Sequence, residues 1–132
     1  MADCKYCDEG YQKSDRTILE NNLFFANFDN HPVNPGHAKL VPKRHVNSFC
    51  ELTTQELGAL RDLMLKAKEL IANKYHPNGY NIGINEGQAA GQTIFHLHVH
   101  LIPRYDGDVA NPVGGVRNVI PGKGDYRKSR LE

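Results

Sequence analysis

Thr93-Ile94-Phe95-His96-Leu97-His98-Val99-His100-Leu101-Ile102-Pro103-Arg104 sets imidazoles in strict alternation with large apolar side chains. A strand turns successive side chains to opposite faces. The run therefore predicts a strand that sends Phe95, Leu97, Val99 and Leu101 into a core and holds His96, His98 and His100 together on the other side. Alternate side chains on a strand stand about 6–7 Å apart, a gap that one phosphoryl group or one metal ion can bridge.

Working outward, residues 80–85 (Tyr-Asn-Ile-Gly-Ile-Asn) alternate in the same way and should pair with the histidine strand across the glycine-bearing loop 86–92. Before them lies one long helical pattern. Thr53 with Glu56 forms a capping box, and Leu57, Leu60, Met64, Ala67, Leu70 and Ile71 keep a stripe until Pro77-Asn78-Gly79. Residues 17–20 and 23–28 flank Asn21-Asn22 as a hairpin, and 37–42 resume as a strand after the Pro/Gly loop 29–36. The expected fold is α+β, an antiparallel sheet of about five strands with one long helix. Residues 1–105 form its core with the N-terminal segment, and the Gly/Pro-rich tail 106–132 belongs to the same domain.

A chain of 132 residues with 39% hydrophobic content suits one compact core. Sixteen Lys and Arg against 15 Asp and Glu leave a net charge of +1, which gives no global reason to expect nucleic acid or a membrane as partner. No secretory or bilayer-length apolar run is present, so a cytoplasmic protein is expected. Its three cysteines are too few for a disulfide framework. Cys4 and Cys7 have the spacing of half a tetrahedral zinc site, and Cys50 is left as a buried thiol.

Three histidines in register admit three chemistries. A solvated strand face would use Lys, Glu or Thr instead. A catalytic zinc on three imidazoles would lack a motif-spaced glutamate to act on its bound water. Nucleophilic attack on phosphorus by a central imidazole needs hydrogen-bond donors nearby, and His37, Asn85, Gln92 and Thr93 are candidates.

His96-Leu97-His98-Val99-His100-Leu101-Ile102 closely resembles the signature of the histidine triad family, and Gly91-Gln92-Thr93, Asn85, Pro35-Gly36-His37 and Pro42-Lys43-Arg44-His45 extend the likeness over residues 4–105. The resemblance implies that His98 is the nucleophile at an α-phosphorus and that His100 and His37 contact phosphate oxygens. Asn85, Gln92 and Thr93 would add donors, and Asp29 would accept the ribose hydroxyls. Some family members are similar in a further respect, which implies a structural Zn2+ on Cys4, Cys7, His45 and His96. The family also implies a homodimer and a nucleotide substrate, with Mg2+ accompanying a polyphosphate. The tail, with Gly114-Gly115-Val116-Arg117 as an expected phosphate nest, is similar to those of dinucleoside-polyphosphate hydrolases of bacteria. Phosphoramidase, phosphorylase and non-catalytic nucleotide-binding module are the alternatives.

Overall fold

Residues 4–12 and 16–129 are described by the computed structural model; the last three residues of the expected tail, 130–132, lie outside them. The helix is α2, Thr54–Tyr75, preceded by the short α1, Glu9–Gln12. Thr53 accepts the Glu56 amide at 3.1 Å, while Glu56 Oε1 accepts the Thr53 amide at 2.9 Å, satisfying two otherwise orphaned donors. Arg44 grips the same carboxylate through Nε and Nη2 at 3.0 and 2.7 Å, which holds the Glu56 carboxyl down to about 2. Thr53→Ala should cost about 1 kcal/mol, seen as a lower urea midpoint with an unchanged slope. The helix ends where His76 turns left-handed (φ 57°).

Its buried stripe is Leu60, Leu63, Ala67 and Ile71. This differs from the expected one at two places: Leu63 enters the core, and Leu57, in the first turn, is 37% exposed. Asn21 Oδ1 accepts the Leu23 and Phe24 amides and so turns β1 (Thr17–Glu20) into β2 (Phe24–Phe28). β3 is Ala38–Pro42, β4 Gly79–Ile84 and β5 Val99–Arg104; a short helix α3, Tyr126–Ser129, closes the described chain. The sheet is antiparallel throughout, in the order β1-β2-β3-β5-β4. The α+β expectation of five strands and one long helix is met.

Alternation divides the sheet into two unlike faces. Phe24, Ala26, Ala38, Leu40, Val99 and Leu101 pack with the α2 stripe in the main core. The reverse face carries Phe25 and Val41, covered by Tyr6 and Tyr11, together with polar side chains. No helix among the described residues is long and apolar enough to cross a membrane.

The histidine run departs from a regular strand at its start. β5 begins only at Val99, residues 94–96 bend, and Phe95, expected in the core, is 51% exposed. The cause is long-range: the Leu97 amide donates to Val46 O at 2.7 Å, and the His96 ring turns under Pro42 O at 2.7 Å. Three equivalent imidazoles on one face therefore do not exist. Cys50, expected to be buried, lies exposed in the 3-10 turn Phe49–Glu51.

Candidate active site and metal cluster

His98, the residue before β5, makes a 3.0 Å bond between Nδ1 and the His96 carbonyl. A carbonyl only accepts, so Nδ1 carries the proton and Nε2 keeps a lone pair. That is the tautomer a nucleophilic imidazole requires. His98 and His100 rings meet edge to face at 5.1 Å.

Gly36 positions His37. Its φ of +88° belongs to glycine, and a Cβ there would come within 2.9 Å of Tyr75. His37 Nδ1 accepts the Val33 amide at 3.2 Å, which leaves the proton on Nε2, 2.9 Å from His100 Nδ1. His100 consequently holds its own proton on Nε2. Asp29 Oδ2 stands 3.6 Å from His37 Nε2 and 3.9 Å from His100 Nδ1, and its Oδ1 accepts the His31 amide. These three side chains are close enough to suggest a cation site. The ring protonation argues otherwise: a cation on His37 Nε2 would demand a ring stripped of both protons or the loss of the Val33 bond. His37 and His100 share the proton on His37 Nε2, with the Asp29 carboxylate beside them.

Burial, with the His98 and His37 rings adding to it, pushes His100 down to about 4 against the pull of Asp29. Burial likewise lowers His37 and His98. Burial opposes charge on Asp29 too, but the His31 amide and the cationic neighbours outweigh it and hold its carboxyl below the usual value. Because His100 is depressed in the fold, its contribution to stability is complete above the unfolded value near 6.5 and is lost as pH falls through about 4. Urea melts between pH 7 and 4 should therefore show a shallower acid decline in His100→Gln than in wild type. Equal slopes would contradict the burial account.

Asn85, just past β4, is exposed, as is Thr93. Thr93 borders a cavity of about 530 Å3 with Cys4, His45 and Phe95. Gln92 is engaged elsewhere. Its Oε1 accepts the Gly87 amide at 2.8 Å and its Nε2 reaches Asn47 O and Ile94 O at 3.4 and 3.3 Å, so its amide closes the loop instead of pointing at the imidazoles. The expected nest is a 3-10 turn, Gly115–Val119, and Arg117 Nε donates to Gly124 O. Gly114 permits that packing, since a Cβ would lie 1.8 Å from the same oxygen. The tail is moored at its start by Asp108, which takes two bonds from Arg104 and one from Asn34. Beyond His100 on the same face of β5, Ile102 borders a cavity of about 510 Å3 between Asn81 and the tail.

His96 belongs to a second cluster. Its Nε2 donates to Pro42 O, leaving Nδ1 bare, 3.3 Å from Cys4 Sγ and 3.4 Å from Cys7 Sγ; His45 Nδ1 lies 3.2 Å from Cys7 Sγ. Ligands on a tetrahedral zinc with bonds of 2.0–2.3 Å are separated by about 3.5 Å. Two thiols and two imidazole nitrogens, all within 4.8 Å of one another, fit that geometry. The cluster is compatible with zinc.

Sequence reasoning passed over Lys39, Tyr6, Tyr11 and Asn27, which crowd beneath the imidazoles. Lys39 Nζ donates to Tyr6 Oη at 3.1 Å and Tyr11 Oη at 3.4 Å, and the Tyr6 ring meets His98 at 5.4 Å. The available signal was a lysine in an otherwise apolar strand, two residues after His37 and so on the same face as that ring.

A model of the histidine triad (HIT) domain matches residues 11–107. The chain belongs to the histidine triad family. It is 38% identical over 107 residues to a protein named AP-4-A phosphorylase from Mycobacterium tuberculosis (strain CDC 1551 / Oshkosh), covering 79% of this chain and 54% of that one. It is 40% identical over 77 residues to the asymmetrical bis(5'-nucleosyl)-tetraphosphatase of Schizosaccharomyces pombe, covering 58% and 42%. This HIT chain thus spans about half the length of those relatives. Among solved structures, a zinc-bound histidine triad protein from Mycobacterium smegmatis superposes with a TM-score of 0.72 at 28% identity, over 83% of this chain and 81% of that one.

Proposed function

We propose that this HIT protein is a nucleotidyl hydrolase or transferase that cleaves dinucleoside polyphosphates at the α-phosphorus through a nucleotidyl-His98 intermediate. The observation that carries this reading is the His98 Nδ1 bond to the His96 carbonyl, which frees Nε2 for attack. In the first step the Nε2 lone pair forms a P–N bond while the bond from phosphorus to the leaving polyphosphate oxygen breaks, and that oxygen departs with the electron pair. His98 becomes a phosphorylated imidazolium that still donates to the His96 carbonyl. In the second step water attacks phosphorus, and the P–N electrons return to Nε2. The surplus proton of the water leaves with the phosphate or to solvent.

His100 holds a phosphoryl oxygen through its Nε2–H in this reading; His37, whose Nε2–H donates to His100 Nδ1, acts through that ring instead of touching the phosphate, and Asp29 takes the ribose hydroxyls. Asn85 and Thr93 supply donors from the loop, and Gln92 contributes by keeping that loop closed. Cys4, Cys7, His45 and His96 would hold one structural Zn2+, which would anchor the N-terminal segment and leave substrate binding to the other histidines. Mg2+ accompanies the polyphosphate. Residues 1–105 and the tail 106–132 act as one domain, in a cytoplasmic homodimer that joins two such sheets; sedimentation at twice the chain mass checks the assembly.

Phosphorolysis is the second reading, favoured by the likeness to the M. tuberculosis protein named AP-4-A phosphorylase. The two separate cleanly. Diadenosine tetraphosphate should give AMP and ATP if water completes the reaction, and ADP and ATP if inorganic phosphate does. Parallel reactions with diadenosine triphosphate and adenosine 5′-phosphoramidate, quenched and weighed by mass spectrometry, should reveal a nucleotide adduct. Absence of adduct and turnover with all three would leave a nucleotide-binding module in place of an enzyme.

A further inference from the structure

Asn27 of β2 pairs with Lys39 of β3, and Lys39 pairs with His100 of β5, so the three stand in one row across the reverse face of the sheet. The middle member is unusual. Lys39 is only 5% exposed, yet among the described residues no carboxylate lies within ion-pair distance of its ammonium. Its partners are the two phenol oxygens, and its Nζ sits 5.1 Å from the centroid of the Tyr6 ring, whose edge meets His98. Burial opposes the ammonium, but the bonds to Tyr6 and Tyr11 prevail and keep it charged. Beside it Asn27 Nδ2 donates to Tyr11 Oη at 3.1 Å. Asn27 Oδ1 is the only fully buried side-chain polar atom without a partner among the described residues.

A buried ammonium without a counter-charge is costly, and a flexible lysine could ordinarily escape to solvent. Here two tyrosines pin it in place. Asp29 stands beside His37 and His100 and accepts the His31 amide; its acidity registers the Lys39 charge, but it makes no ion pair with it. With no carboxylate of the described residues answering it, the ammonium is left to pair with an anion that binds to the face. We propose that Lys39 is a positioning residue for the transferred phosphoryl group: a fixed ammonium, held by Tyr6 and Tyr11 on the histidine face, whose counter-anion is the substrate's own phosphate. This rests on the nucleotidyl reading and extends it from the imidazoles to the charge beneath them. The same ammonium weighs against protonation of His37 and His100, adding to the larger effect of burial.

Calorimetric titration with AMP and with uncharged adenosine tests the proposal. Lys39→Met and Lys39→Gln should bind AMP about tenfold more weakly, with adenosine affinity unchanged within about twofold, and KM should rise by more than kcat falls. Lys39→Arg should restore AMP binding to within about threefold of wild type. Equal weakening toward AMP and adenosine would reduce Lys39 to a structural role, and unaltered AMP binding in the neutral variants, or a wild type that binds neither AMP nor orthophosphate, would overturn it. Should the neutral variants fail to fold, the 13Cε resonance of Lys39 in wild type decides: it should move on addition of AMP and stay still with adenosine, and the opposite result refutes the inference. A wild type that binds AMP through Lys39 yet forms no adduct would sink the nucleotidyl mechanism and leave this site standing.

Discussion

His98→Ala should form no nucleotide adduct, and its kcat/KM for diadenosine tetraphosphate should fall by about 10³-fold or more. The size follows from losing the nucleophile outright: the remaining groups can bind and polarise the phosphate, but water must then attack without a covalent intermediate. The fold should survive. The ring makes one hydrogen bond, to the carbonyl of a residue two positions back, and its edge contacts are to Tyr6 and His100. Thermal melting should stay within a few degrees of wild type, and the metal content should be unchanged. An adduct persisting in His98→Ala would move the nucleophile to His100.

Metal removal produces the other large effect. Replacing Cys4 and Cys7 together by serine, or stripping the protein with a chelator, should release about one zinc per chain. With free zinc a thousandfold above its dissociation constant, losing that binding removes about 4 kcal/mol of stability. The damage should spread to the active site along the backbone, because His96 offers its ring to the cluster and its carbonyl to His98. Tyr6, carried between the two cysteines, would also leave its place against His98 and Lys39. Metal analysis with thermal melting reads the result. One zinc retained without both thiols would exclude the N-terminal cluster and return suspicion to the histidine run.

Local pattern carried most of the architecture. Thr53 and Glu56 marked the helix start, Asn21 the hairpin, and the alternation in β4 and β5 their pairing, because each is set by neighbours a few residues away. What could not be read depended on distant partners. The bend at 94–96 arises because the Leu97 amide finds Val46 O, a residue far away in the chain, and nothing between Thr93 and Arg104 announces it. Gln92 looked like a donor for substrate until the Gly87 amide and the carbonyls of Asn47 and Ile94 were found to occupy it. Leu57 and Leu63 exchanged expected places because a helical stripe drifts around its axis, and only the sheet beneath decides which edge is covered. The candidate site was legible in its histidines and cysteines, whose chemistry is conspicuous. Lys39 and Asn27 were not, since their importance lies in which strands stand beside them.

The unlike faces of the sheet also govern how this protein can diverge. Along β3 the side chains alternate between the α2 core and the polar side, Ala38 and Leu40 one way, Lys39 and Val41 the other. A substitution at Lys39 or Asn27 falls on the polar face and leaves the helix packing untouched. Insertion of a single residue would trade the two faces, driving an ammonium into the apolar layer. New preferences in such a scaffold arise by changing letters within strands of constant length.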